Sequence, residues 1–264
     1  ERFGLVASTA DKRIIWLHAV SVGETLAAAP LVRALQEQYP QHRLLVTCMT
    51  PTGSERIQAV FGDSVEHCYA PYDMPDALSR FLATVNPEIL IIMETELWPN
   101  TIAACHRRNI PVVLANARLS QKSALGYSRV KPLVKPMLES MTAVVAQHHD
   151  DGARFIDLGL PDSVLSISGN IKFDLTLDAP LKQYAQQLGT QWRGAEGRLI
   201  WLAASTHRGE DEIILQAMSQ IKAGMEVPPL LVLVPRHPER FDQVAELCTS
   251  AGYTLARHSK ADAT

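Results

Sequence analysis

Apolar runs that read as strands alternate with helical patterns along the whole chain, and that alternation is the tightest constraint on its fold. Strand patterns fall at 14–20, 43–49, 65–70, 88–93, 111–116, 142–147 and 164–168, with helical patterns between them at 25–38, 53–61, 75–85, 99–108, 119–131 and 150–158. Such alternation predicts βαβ units and a doubly wound parallel sheet. In the 25–38 pattern, Leu26, Pro30, Leu31, Ala34 and Leu35 fall on one face and Arg33, Glu37 and Gln38 on another. Pro99 suits the first turn of a helix, where a missing N–H costs nothing. Pro132 and Pro136 are expected to prevent one long continuous helix.

The segment 172–180 (KFDLTLDAP) reads as a crossing between domains, because the alternation restarts beyond it. A helix at 181–192, a strand at 199–204, a helix at 209–222, a strand at 230–234, a helix at 238–251 and a strand at 253–258 follow. Two α/β domains are therefore expected, 1–176 and 177–264. Three strands make half a Rossmann-type sheet with an unpaired edge, so the second domain is expected to be incomplete.

Composition narrows the class. The chain is 47% apolar and 20% charged, which is globular, and its formal charge of −3 argues against general affinity for nucleic acid. The four cysteines, Cys48, Cys68, Cys105 and Cys248, show no C-x-x-C spacing, so neither a zinc ribbon nor a redox motif is indicated, and a reducing compartment is expected. No apolar stretch is long enough to span a membrane. The start, Glu1-Arg2-Phe3-Gly4, has no initiating methionine and no basic region ahead of an apolar core, as expected of a front end that has been trimmed or processed.

Two segments carry chemistry. Ser21-Val22-Gly23-Glu24 follows the run Ile14–Val20, and Glu94-Thr95-Glu96 follows Ile89–Met93. Each places a carboxylate where a buried strand gives way to a helix, the edge at which parallel sheets bind ligands. Glu24 could take a proton from a hydroxyl nucleophile; equally, Ser21 and Glu24 fit a capping box. Gly23 would allow a tight turn or a close approach to a ligand. A carboxylate at the buried end of a strand needs a partner, which points to Glu94, with Glu96 of the same parity; both also fit an exposed acidic loop. Arg118, after Asn116-Ala117, suits bidentate binding of a phosphate or carboxylate, or a plain surface position. Lys122, Arg129, Lys131 and Lys135 surround Tyr127 as a basic stretch that could face phosphates or simply be solvated. Lys172, in Ser168–Asp174, offers a point charge; Gly169-Asn170 there reads as a turn. In the second domain, Ser205-Thr206-His207 and Arg236-His237 end successive strands, and cations there suit a phosphate. No metal motif, P-loop, dinucleotide fingerprint or G-x-S-x-G elbow is present.

Taken together the chain resembles the Kdo transferases, which transfer 3-deoxy-D-manno-octulosonic acid in lipopolysaccharide assembly. The resemblance rests on His18–Glu24, Thr47–Arg56, Tyr72–Ala77, Met93–Asn100, Ala115–Ser120, Gly169–Asp174, Ser205–His207 and Pro235–Arg240, in order along nearly the whole chain. It implies a GT-B type glycosyltransferase: two Rossmann-like domains flanking a cleft, with the acceptor on the first and CMP-Kdo on the second. It implies inverting transfer to a lipid A precursor, lipid IVA, at the cytoplasmic face of the inner membrane of a Gram-negative bacterium. The attachment would be peripheral or through an N-terminal anchor. Glu24 matches the family's general base, and Glu94 and Lys172 match positions that stabilise the transition state. Ser205, Thr206, Arg236 and His237 would hold the donor. Ser21, Gly23, Asn116, Arg118, Lys122 and Arg129 would hold the acceptor. No metal and no cofactor beyond the donor substrate is implied.

The chain lacks the family's apolar segment ahead of Glu1. Nothing after Tyr253 matches the glycine-rich stretch and the Asn-Pro-Leu-Glu-like motif that complete the CMP pocket. The resemblance therefore implies that this chain by itself binds donor poorly and turns over little. The rival readings are a sugar-nucleotide epimerase of the same architecture and a non-catalytic acceptor-binding fragment.

Overall fold

The computed structural model of the chain describes residues 1–7, 13–174, 179–195 and 197–258. The chain divides into two compact units, Glu1–Thr176 and Leu177–Thr264. The crossing read at 172–180 lies partly outside the described residues.

In the first unit the alternation becomes β1 (Arg13–His18), α1 (Val22–Gln38), β2 (His42–Cys48), α2 (Pro51–Phe61), β3 (Glu66–Tyr69), α3 (Pro75–Val85), β4 (Ile89–Met93) and α4 (Pro99–Arg107). It continues as β5 (Val112–Ala117), α5 (Gln121–Ser128), α6 (Lys131–Glu139), β6 (Ala143–Ala146), α7 (His149–Leu158) and β7 (Leu165–Ile167). The seven strands form one sheet in the order β3-β2-β1-β4-β5-β6-β7, and every pairing is parallel. β1 is bonded on both sides: Leu17 lies opposite Val46 of β2 and opposite Ile91 of β4. The strand order reverses there, so the crevice at the carboxyl ends of β1 and β4 is the topological switch point, where open α/β sheets bind ligands.

Alternate strand residues point to opposite faces, and each face has its own core. Ile15, Leu17, Val46, Ile91 and Met93 pack with Ala27, Ala28 and Val32 of α1 and Ile57 of α2. Ile14, Trp16, Leu90, Ile92 and Leu114 pack on the other face with Leu78 and Phe81 of α3, Ile102 of α4, and residues of α6 and α7. Trp16 and Phe81 anchor that second core, with ring centroids 4.9 Å apart and both side chains fully buried.

The helices differ from the sequence reading in two places. α1 does not bury the face through Leu26 and Ala34; Leu26 is 39% exposed, while Thr25, Ala27, Ala28, Ala29 and Val32 are buried. Small side chains let α1 lie close against the sheet and α2, so size outweighs hydrophobicity here. The break expected around Pro132 and Pro136 falls before both. Pro132 sits in the first turn of α6, and Pro136 lies inside that helix, whose buried Val134, Met137 and Leu138 hold it together despite the lost N–H bond.

The second unit contains α8 (Ala179–Arg193), β8 (Ile200–Thr206), α9 (Glu210–Gly224), β9 (Leu230–Pro235) and α10 (Phe241–Ser250). β8 and β9 pair in parallel. The strand expected at 253–258 does not form. Its side chains bond to helices instead: Tyr253 Oη donates to the Leu215 carbonyl at 3.2 Å, and Arg257 pairs with Asp242.

All four cysteines are free thiols. Burial pushes Cys68 and Cys105 up to about 12, so both stay as inert thiols at neutral pH. Among the described residues, no helix is long and apolar enough to cross a membrane.

The Trp16–Phe81 contact predicts a large cost for Phe81→Ala. Unfolding in urea should show the first unit destabilised by about 3–5 kcal/mol. A cost under about 1 kcal/mol would contradict this placement of the core.

Candidate active site

Glu24 is built into the switch point by its own helix start. Ser21 caps α1, its Oγ accepting from the Glu24 N–H at 3.2 Å and donating to Glu24 Oε1 at 2.7 Å. Glu24 Oε2 accepts from the Val20 N–H at 2.8 Å. The expected Ser21 cap is present, with the return bond from Glu24 made to the Val20 N–H rather than to the Ser21 N–H, and these bonds also orient the carboxylate. Glu24 is only 7% exposed. Burial raises its pKa above the ordinary 4.5; the bonds from Ser21 and Val20 lower it in part, and the charges of Glu96 and Glu94 raise it further. Each carboxylate oxygen holds two lone pairs, so one on each oxygen is left for a substrate proton.

Glu94 follows β4 in the left-handed region, at φ 57°. Asn116, near the end of the adjacent strand β5, has φ 53°. Left-handed backbone costs an ordinary L-residue roughly 1–2 kcal/mol, and local hydrogen bonds hold it here. The Glu94 N–H donates to the Ala115 carbonyl at 2.9 Å. Thr95 Oγ1 donates to the Arg118 carbonyl, tying the loop after β4 to the end of β5. Gln147 Nε2 donates to the Asn116 carbonyl at 2.9 Å.

Asn116 also docks the segment that carries Lys172. Its Oδ1 accepts from the Ile171 N–H at 3.1 Å, and Asn170 Oδ1 accepts from the Lys172 N–H at 3.0 Å. Ile171 packs against the core beneath α1. The short helical turn Ile171–Asp174 is thereby fixed, and Lys172 Nζ reaches Glu94 Oε1 at 3.1 Å. The pair is partly exposed, so it adds at most about 1 kcal/mol of stability; its consequence is position. Glu96 is half-buried, and its Oε2 accepts from Trp98 Nε1 at 3.1 Å. Burial, then the Trp98 bond working against it, then the Glu94 charge set its pKa, with a net rise.

Glu94 and Lys172 are thus in contact, and Glu24 lies within reach of the Glu94 and Glu96 charges. None of the three lines the small cavity of about 10 Å³ whose wall includes Trp16, His18, Met49 and Trp98. Gly23 is exposed and has an ordinary negative φ inside α1, so no tight turn requires glycine there. Space is open around it: an added Cβ would meet only Ser21 Oγ, at 3.8 Å. Arg118, Lys122 and Arg129 are exposed.

In the second unit, Ser205 is exposed at φ 62°, and Arg236 and His237 are exposed at the end of β9. The rings of His207 and His237 stand edge to face, 5.9 Å apart. Thr206 is buried, and its hydroxyl is committed to Asp211 Oδ1 at 2.6 Å. Asp211 is 1% exposed and pairs with Arg240, which also donates to the Thr206 carbonyl at 2.8 Å. This network joins the carboxyl ends of β8 and β9, and nothing in the spacing of those residues announced it. The match at Tyr72–Ala77 has a structural basis as well: Asp73 Oδ1 accepts from the Thr101 N–H at 2.7 Å and holds the start of α4. Among the described residues, no three His, Cys, Asp or Glu side chains gather as metal ligands.

Residues 1–175 match the family model described as 3-deoxy-D-manno-octulosonic-acid transferase (kdotransferase). The chain is 47% identical, over 98% of its length, to the 3-deoxy-D-manno-octulosonic acid transferase of Haemophilus influenzae, covering 60% of that protein. It is 36% identical, again over 98% of its length, to the Bordetella pertussis enzyme of the same description, covering 61%. The chain therefore spans roughly three fifths of these curated relatives. Among solved structures it is similar to UDP-GlcNAc 2-epimerase from Neisseria meningitidis bound to UDP-GlcNAc, at a TM-score of 0.59 and 13% identity over 90% of this chain and 69% of that one. A second UDP-N-acetylglucosamine 2-epimerase gives 0.58 and 13% over 93% and 66%. Likeness at that identity establishes a fold of the GT-B glycosyltransferase and epimerase kind, and does not favour epimerase chemistry.

The raised Glu24 pKa carries a stability signature. The folded state holds this proton more tightly than the unfolded chain, so the contribution is fully present below about pH 4.5 and is lost as pH rises through the folded value. Glu24→Gln cannot titrate. Its unfolding free energy in urea should therefore fall less than that of the wild type between pH 4.5 and pH 7. Parallel pH profiles would contradict the assignment.

Proposed function

The chain belongs to the 3-deoxy-D-manno-octulosonic acid (Kdo) transferase family, and on that premise we propose that it serves inverting transfer of Kdo from CMP-Kdo to a lipid A precursor, lipid IVA, in lipopolysaccharide assembly. Glu24 is the general base. It takes the proton of an acceptor hydroxyl as that oxygen bonds to the Kdo anomeric carbon. The bond from that carbon to the CMP phosphate breaks, and its electron pair leaves with CMP.

The observation that carries this reading is a buried carboxylate of raised pKa at the β1/β4 switch point, beside a fixed acid–ammonium pair. Burial favours the protonated form of Glu24 and so strengthens it as a base. Lys172, held by Glu94, supplies positive charge to the donor's carboxylate and phosphate as the transition state forms. Ser205, Arg236 and His237 suit the CMP phosphate, and Thr206 supports them through its bond to Asp211. Arg118, Lys122 and Arg129 suit the anionic groups of the acceptor. The same region exposes Leu125, Val130 and Leu133, with Leu133 74% exposed. A basic and apolar surface fits a protein working at the cytoplasmic face of the inner membrane.

The test is a single-turnover transfer assay with the protein in excess over labelled lipid IVA, so that slow rates are readable. Glu24→Gln should lower transfer from CMP-Kdo at least a hundredfold while leaving the lipid IVA dissociation constant within about twofold. Unchanged transfer would exclude Glu24 as the base.

A further inference from the structure

Among the residues expected to hold the acceptor, Asn116 is the one the fold closes to solvent. It is 3% exposed, while Ser21, Gly23, Arg118, Lys122 and Arg129 are exposed. Its amide is committed inward. Oδ1 accepts from the Ile171 N–H at 3.1 Å, and the N–H facing it identifies that end of the amide as the oxygen. Nδ2 is buried, with no partner among the described residues. Little of this side chain is left for an acceptor sugar to touch.

The backbone around Asn116 is built for this inward aim. Leu114 lies opposite Val144 of β6 and Ala117 opposite Ala146, so β5 carries an extra residue between them. A bulge of this kind re-aims a side chain, and the left-handed backbone of Asn116 falls within it. The carbonyl of the preceding residue, Ala115, accepts from the Glu94 N–H at 2.9 Å. Adjacent residues of β5 thus hold both ends of the acid–ammonium pair. Ala115 holds the backbone of Glu94, and the Asn116 amide holds the turn that carries Lys172.

The bonds from Asn170 to the Lys172 and Phe173 N–H groups lie within that turn and do not tie it to the sheet. Ile171 packs against the core, but apolar contact is non-directional. The directional bond is the one to Asn116, and it sets the rotation of the turn. Lys172 carries its ammonium on a flexible four-carbon stem, so the ammonium keeps one position only if its backbone is fixed.

We propose that Asn116 is a positioning residue for Lys172: its amide oxygen fixes the turn Ile171–Asp174 and so keeps the Lys172 ammonium on Glu94, where transfer needs positive charge. The inference rests on the reading of Lys172 as the charge that meets the donor.

Asn116→Gly removes the amide and suits the left-handed backbone. Competitive labelling of lysine amines with acetic anhydride, read peptide by peptide by mass spectrometry, reports the pair without any need for turnover. Lys172 should label roughly twofold to fivefold faster in Asn116→Gly, as release of a partly exposed ion pair allows, with the other lysines unchanged. Calorimetric binding of lipid IVA should stay within about twofold of the wild type. Single-turnover transfer should fall about tenfold to a hundredfold. Adding Asn116→Gly to Lys172→Ala should lower it by no more than about a further twofold, because the amide acts through the ammonium. Asn170→Ala loosens the same turn from a half-buried position and should also speed Lys172 labelling, which keeps the inference testable if Asn116→Gly does not fold. Unchanged Lys172 labelling, a selective loss of lipid IVA affinity, or losses of transfer that multiply in the double variant would each overturn it. If labelling changes as expected while Lys172→Ala transfers as the wild type does, the positioning stands and the role given to Lys172 falls.

Discussion

The hydrogen bonding of β1 on both of its edges is the constraint from which the site follows. With β1 paired to β2 on one side and β4 on the other, the connections leaving β1 and β4 (α1 and α4) go to opposite faces of the sheet, so the carboxyl ends of these neighbouring strands part. Glu24 stands on one lip of that gap and Glu94 on the other. Neither acid needs a special motif to arrive there; the reversal of strand order delivers both. The two cores hold the geometry, because each face of β1 is sealed by a different set of helices.

Local strain then refines what topology supplies. Glu94 and Asn116 adopt left-handed backbone on neighbouring strands, and non-glycine residues in that region concentrate at functional sites. Asn116 offsets its own cost by accepting from Ile171, which docks the turn that swings Lys172 onto Glu94. One buried amide thus joins three segments far apart in sequence. The Ser21 cap and its bonds to Glu24 have the same double character: the bonds that start α1 also aim a carboxylate whose charge burial disfavours.

Much of this was legible in the sequence, for physical reasons particular to each element. Strands such as Ile89–Met93 announced themselves because burial on both faces demands uninterrupted aliphatics, and the acids after β1 and β4 stood out because charge at such ends is costly. The buried face of α1 was misread because alanines, rather than Leu26, meet the sheet. The strand expected at 253–258 does not form because Tyr253 and Arg257 bond to helices while Leu255 stays exposed. Left-handed backbone at Glu94 and Asn116 left no mark, since neither residue is glycine. Thr206 stood out at a strand end, but its place in the Arg240–Asp211–Thr206 network was hidden because it depends on which partners meet in three dimensions. The family likeness marked Lys172, while its contact with Glu94, 78 positions away, needed the fold.

The central claim is that acids from two βα junctions share one electrostatic site. Carboxyl-carbon NMR titration of Glu24, in the wild type and in Glu94→Gln, tests it most directly. The account predicts that Glu24 titrates above its ordinary range in the wild type and moves downward once the Glu94 charge is removed. A Glu24 titration that is ordinary, or indifferent to Glu94, would contradict it.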